Sequence, residues 1–486
     1  MLLTIFLASL VVLFLVIYKY LSKYRGVVES FGIPYIKPYL IFGSPPFMFH
    51  TFNYHDWEAE QFKKFGKTWA KYDGSIPVIK TIDPEFIKEV TVKQFDNFHA
   101  SFDVPITDEQ TTLDMAKGET WKALRKILSP TFTTGRLKGM VEPMTGLADR
   151  TIDFLAKQVE KNPNKVDVKP VVQGFALDTI SKVGFGIDTN AYKGEDSEFM
   201  KNAQAVFDTF SARTFGMAMF WNIVEHFPII FSWLPMWPPE AFKIKDMTHN
   251  AIEARIKNNV DYGDFIDRLK AHKANLEPPL TPPMMDAQGM IFLTAGYETT
   301  ANTLGHMIYL FAKNPDVQDR IYEDVANICD DSEKIDHENI KEMHLLEAAI
   351  SETLRIRPAA TVHMRQCTND CEVLGIKIPA GTRIQMPNMP SHLNEEFFPN
   401  PHEFQPERFL KENAHQIQPF TWRPFGSGNR ECIGKRFSIV EIMIFMAKFI
   451  TKFKIIDIPE TKTDYAHGDL FMLIYPKMEV KLELRN

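Results

Sequence analysis

The chain has 486 residues, 45% of them hydrophobic, a formal net charge of −7 and four cysteines. That length admits two or three domains, yet no Gly/Ser linker, low-complexity tract or internal repeat divides it, so one large domain with an ample core is expected. The acidic balance argues against nucleic acid as a partner, and so few cysteines in so long a chain argue against a disulfide framework.

The first element is apolar. Leu2 to Tyr18 carry no charge, and Lys19, Lys23 and Arg25 follow at once. About 17 residues lie at the short end for a membrane span. A cleaved leader has basic residues before the apolar stretch, and here the order is reversed. Residues 1–20 therefore read as an uncleaved anchor whose positive flank stays in the cytosol with the rest of the chain. Residues 21–45 read as a basic, proline-containing hinge, and 46–486 as the single main domain.

Further along, Trp121 and Arg125 place an indole N–H and a guanidinium one helical turn apart, two donors able to grip one carboxylate. Lys122 and Lys126 beside them, with Lys435 and Arg436, can form a basic face or a merely solvated one. Phe227 to Trp237 is strongly apolar, but Pro228 and Pro235 forbid a spanning helix. Its aromatic rings suit a lipid interface or the core beneath a loop.

Pro282-Pro283 and Pro315 bracket about 30 residues without an internal proline, enough for a helix of ~45 Å. Near its middle stands Ala295-Gly296-Tyr297-Glu298-Thr299-Thr300. Glycine and paired threonines are poor interior helix formers, so the segment is expected to serve a ligand. Small residues at 295 and 296 leave room beside the helix, and Ala295 and Thr299 share a face at i,i+4. Thr299 can alternatively bond back to the carbonyl one turn earlier.

Glu352 and Arg355 set opposite charges at i,i+3 of a helix, and Arg408 in Pro406-Glu407-Arg408-Phe409 supplies a second cation downstream. His363, Cys367 and Cys371 are four apart; in extended chain successive members stand ~13 Å apart, too far to share one ion.

Phe425-Gly426-Ser427-Gly428-Asn429-Arg430-Glu431-Cys432-Ile433-Gly434 is the most specific run. It places a cysteine in a glycine-rich loop directly before a helical pattern, where free N–H groups and the helix dipole favour the thiolate. Gly428 and Gly434 let the backbone approach a flat ligand, Arg430 can meet a carboxylate on it, and Phe425 can shield the sulfur. Together these residues form a nest for one axial thiolate under a planar iron cofactor.

The run F-x-x-G-x-R-x-C-x-G resembles the haem-binding loop of the cytochrome P-450 family and matches it at every fixed position. The resemblance implies a mostly α fold with small β-sheets and haem b (iron protoporphyrin IX), its iron ligated by Cys432. The 295–300 segment resembles the family's oxygen-activating stretch, which implies that Thr299 contacts dioxygen or its water and that Glu298 relays protons. Ala295 would then lie beside the cofactor, Trp121 and Arg125 would bind one haem propionate, and Arg365 and Arg430 would add further contacts. The Glu352–Arg355–Arg408 set is implied to be structural. Residues 227–237 would fall in the family's loop between helices F and G, and substrate contacts near 98–110, 203–220, 290–295, 359–364 and 469–471.

Blocks 118–132 and 178–186 look most like the animal microsomal group of drug and xenobiotic oxidisers. That likeness implies a monooxygenase of lipophilic substrates in the endoplasmic reticulum membrane. Its electrons would come from NADPH through cytochrome P-450 reductase, with cytochrome b5 as a second candidate donor.

Overall fold

The computed structural model describes residues 22–39, 43–44, 54–101, 106–193, 198–210, 238–259, 264–272, 279–329, 335–463 and 471–485, with scattered positions before residue 20. The apolar run 227–237 and most of the anchor segment lie outside the described residues. Among the described residues, no helix is long and apolar enough to cross a membrane.

The long helix Pro282–Lys313 is the axis of the molecule. Its 32 residues span ~48 Å at 1.5 Å per residue. Thr281 caps it by accepting from the Met284 N–H, and prolines occupy its first turn, where a missing N–H costs nothing. It is buried almost all round, packed against helices Lys169–Phe185, Pro239–Asn258, His344–Ile356 and Lys435–Lys452.

Glycines set how closely those neighbours approach. A Cβ on Gly296 would stand 3.0 Å from Ile180, and one on Gly305 would stand 1.6 Å from the Tyr475 hydroxyl. Gly296 is therefore a helix-packing residue. The room expected at 295 and 296 shrinks to Ala295, because Ile180 fills the space beside 296.

Strands β1 (Thr68–Asp73), β2 (Ile76–Thr81), β4 (Val362–Gln366) and β7 (Arg383–Pro387) form a sheet in the order β1-β2-β7-β4. Strands β3 (Val166–Asp167), β8 (Phe453–Ile456) and β9 (Glu479–Leu484) form another, and β5 (Cys371–Val373) with β6 (Ile376–Ile378) a hairpin. Small sheets on a helical body match the expected fold class.

The stretch expected as a hinge docks onto the larger sheet. Ala70 exchanges backbone bonds with Pro34 and Ile36 at 2.9 and 3.0 Å, and the Val28 N–H donates to the Tyr72 hydroxyl. Val28 and Phe31 are buried against that sheet.

Candidate active site

Cys432 lies at the start of helix Lys435–Lys452, whose N-cap is Gly434. The loop before it is tight. The Cys432 N–H donates to the Phe425 carbonyl at 2.8 Å, the Gly426 N–H to that of Arg423 at 3.0 Å, and the Glu431 N–H to that of Gly428 at 3.0 Å. Gly428 has φ +68°, and a Cβ there would meet the Thr91 carbonyl oxygen at 2.1 Å. Its role differs from the expected one. It lets the loop press against the backbone of Thr91, not against a ligand. Gly434 instead turns its N–H to the Cys432 sulfur, which holds the thiol pKa down together with Arg125 and Lys435.

Burial opposes these effects and is the largest influence, pushing the Cys432 thiol up. The residue nevertheless keeps accessible surface. A bound cation would reverse that preference and favour the thiolate.

Three guanidinium groups crowd the same region. Arg430 is opposed by the charges of Arg365 and Arg125, and burial with that repulsion lowers its pKa to about 9. Arg365, at the end of β4, is buried and lowered to about 10. Arg125 interacts electrostatically with Cys432. Arg430 stacks over the Trp121 ring at 4.7 Å from its centroid and donates to the carbonyls of Asp114 and Ala116. The Nε atoms of Arg365 and Arg430 are buried without a hydrogen-bond partner among the described residues.

Asp114 and Glu431 offset part of this charge, and a further anion would offset more. A planar cofactor carrying two carboxylates would supply that anion, and its metal would give the sulfur a partner. The residues present thus fit haem b. Trp121, Arg125, Arg365, Arg430 and Cys432, scattered over more than three hundred positions, come together in the structure.

On the helix side the two polar residues expected to serve the ligand are committed within the protein. Helix 282–313 passes its ligand segment without a break. Thr299 donates its hydroxyl to the Ala295 carbonyl at 2.7 Å, which is the back-bonded alternative. Glu298 is buried, its carboxylate accepting from Gln173 at 2.9 Å and from Asn302 at 3.3 Å. It therefore points towards helix Lys169–Phe185. Ala295 and Thr299 keep accessible surface while Leu293, Thr294, Tyr297, Glu298 and Thr300 do not.

Sequence reasoning missed Glu441. It is fully buried, accepts from Thr300 at 3.5 Å, and burial drives its carboxyl well above the usual range. Its only signal was a lone carboxylate within the apolar stretch 439–447 of its helix.

The loop is anchored from behind. Arg355 is completely buried, paired to Glu352 by two bonds of 2.7 and 2.8 Å and donating to the carbonyls of His392, Pro401 and Glu403. Arg408 joins Glu352 at 3.4 Å. His392 then bridges to the cysteine loop: its Nδ1 meets the Arg355 carbonyl at 3.2 Å, and its Nε2 accepts from the Arg423 N–H at 2.9 Å. His363 meets the Arg423 carbonyl at 2.9 Å. His363 thus faces the loop and not Cys367 or Cys371, and among the described residues no three such side chains can hold a metal.

Burial beside arginines depresses both imidazoles, His363 to about 3 and His392 well below its ordinary value. The sign follows from proton uptake. The unfolded chain protonates these histidines near pH 6.5 while the folded one does not, so stability is full above that pH and falls below it. We expect the melting temperature to drop between pH 7 and pH 5, and His392→Gln, though less stable throughout, to show a shallower drop. An identical slope in the variant would remove His392 from the account.

The expected basic face is partly neutralised. Lys122 pairs with Glu119 at 2.9 Å and Asp96 at 3.7 Å, and Lys435 with Glu431 at 2.8 Å.

A helical body carrying a cysteine at a helix N-terminus, beside three crowded guanidinium groups, fits a haem-thiolate protein. The family model of Cytochrome P450 matches residues 34–482, and the chain belongs to that family. It is 32% identical over 476 residues to Cytochrome P450 3A16 of Mus musculus, covering 94% of this chain and 92% of that one. It is 31% identical over 450 residues to Lithocholate 6-beta-hydroxylase of Mesocricetus auratus, covering 90% and 88%. Cytochrome P450 3A2 of Rattus norvegicus is 30% identical over 470 residues, covering 93% and 91%. The protein is a haem-thiolate monooxygenase, and its cofactor is haem b with an axial cysteine thiolate.

Proposed function

We propose that Cys432 is the axial ligand and that Arg125, Arg365, Arg430 and Trp121 hold the haem carboxylates, so that oxygen enters a lipophilic substrate beside Ala295 and Thr299. The convergence of three guanidinium groups on the cysteine loop carries this reading. Haem, when bound, supplies the activation of dioxygen; the chain supplies grip, exclusion of water and proton handling.

Thr299 has its own proton committed to Ala295, so it offers lone pairs to a proton-bearing neighbour such as water. Glu298 holds a carboxylate one residue away, and a rotation that releases Gln173 brings it towards the Thr299 side. We expect Thr299→Ala to keep haem but to lower product formed per NADPH about tenfold or more, reducing equivalents appearing as peroxide. Full coupling in that variant would remove Thr299 from the oxygen site.

The electron donor is proposed to be NADPH-cytochrome P-450 reductase, docking near Lys126 and Arg436, with cytochrome b5 as a second donor. The proposed setting is the endoplasmic reticulum membrane, anchored through residues 1–20. Leu7, Val11, Val12 and Leu15, at helical spacing, are all more than half exposed, as lipid-facing side chains are in the absence of lipid. The resemblance to a lithocholate hydroxylase makes steroid-like compounds the first substrates to test. The experiment is NADPH consumption and oxygen incorporation with reductase and a lipophilic panel that includes bile acids. Absence of incorporation into every compound, by protein with its haem correctly bound, would overturn the reading.

A further inference from the structure

Cys367 and Cys371 are in contact. Cys367 directly follows β4 and Cys371 opens β5, and their sulfurs lie 3.6 Å apart. This overturns the wide spacing expected for extended chain, because residues 367–370 leave strand geometry in a bent turn between β4 and β5 while still running antiparallel to 378–382.

The turn is fixed by its own bonds. The Thr368 N–H donates to the Asn97 carbonyl at 2.9 Å, and the Asn369 N–H to the Asn97 side chain at 2.8 Å. The Ala380 N–H donates to Asp370 at 2.8 Å, and the Cys367 N–H and carbonyl pair with Thr382 and Gly381 at 2.8 Å each. Cys367 is buried, and burial together with the second sulfur pushes its thiol up. Cys371 is half-buried.

We infer that this pair is a site of reversible oxidation by peroxide, forming an intramolecular disulfide. The sulfurs need approach by only ~1.5 Å to reach bonding distance. The more accessible Cys371, as thiolate, attacks one peroxide oxygen, the O–O bond breaks, and hydroxide leaves to give a sulfenic acid. Cys367 then loses its proton and attacks the Cys371 sulfur, forming the S–S bond and expelling the second hydroxide. In sum, two thiols give two electrons to one hydrogen peroxide, and the two protons released yield two waters. The difficulty of deprotonating buried Cys367 makes the second step the slower one, so the sulfenic acid persists long enough to trap. In a reducing compartment the pair rests as dithiol and closes only on an oxidant pulse.

The test uses the full-length holoenzyme. It is exposed to a stoichiometric dose of hydrogen peroxide and alkylated, and the peptide carrying both cysteines is weighed. The expected result is loss of both alkylation sites from that peptide and a mass ~2 Da below the dithiol, reversed by dithiothreitol. With dimedone present, Cys371 and not Cys367 should carry the adduct, and Cys367→Ser should raise its yield several-fold. An unfolded aliquot, whose thiols must oxidise, sets the dose. Both thiols still alkylated in the folded protein at that dose, or Cys371 driven to sulfinic acid with no cross-link, overturns the inference. The wild-type arm stands whether or not Cys367→Ser folds.

Discussion

Cys432→Ser is expected to abolish the red-shifted absorption band of the carbonyl complex of reduced haem, and turnover with it. The sulfur is the soft, polarisable donor of the loop; an alcohol oxygen at that place stays protonated near neutral pH and gives little electron density to iron. Removing a supporting partner of a metal ligand already costs ~10–100-fold, so loss of the ligand should cost at least ~100-fold in turnover. The guanidinium cluster of Arg125, Arg365 and Arg430 is untouched by the change, so some haem should remain bound with altered colour. An unchanged spectrum would refute the ligand assignment. Retention of colour without the band would separate the sulfur's role from that of the carboxylate grip.

Arg355→Ala is expected to cost the most in stability. It strips the partner from Glu352, which has no exposed surface, and removes the donors that satisfy the carbonyls of His392, Pro401 and Glu403. Breaking a buried pair by removing one partner costs about 3–5 kcal/mol, a large part of the ~5–15 kcal/mol that holds a typical domain folded. Arg408, at 3.4 Å from Glu352, returns part of that loss. Arg355→Lys should recover little, since one ammonium cannot reproduce a planar fork that serves five acceptors. The measurement is thermal unfolding of the haem-loaded protein with haem release followed in parallel. A melting temperature within 2 °C of wild type would show that the pair is dispensable. Haem release is expected to precede global unfolding, because Arg355 reaches the cysteine loop through His392 and Arg423.

That chain of contacts marks where sequence reasoning stops. The long helix was legible because prolines bracket it, and the cysteine loop because its residue types suit one task at one spacing. Trp121, Arg125 and Arg365 could be paired with it only through the resemblance; in the structure the Trp121 ring and the guanidinium groups of Arg125 and Arg365 lie about Arg430. The bridge from 355 through 392 to 423 left no signal, since it runs largely through backbone carbonyls that any residue supplies. Glu298 was legible as a carboxylate but not as one turned towards Gln173, because its neighbour is set by how helix 169–185 packs. The Cys367–Cys371 contact was hidden by a bend between β4 and β5 that spacing alone read as extended chain.

The fit of Ile180 against Gly296 and of Tyr475 against Gly305 bears on which parts of the molecule can move to admit a substrate. Sliding or turning the long helix would drive neighbouring bulk into its backbone, so it is a fixed post with little play. Accommodation of a larger molecule must then come from the opposite walls, and variants that widen the range of substrates should map there and spare the post.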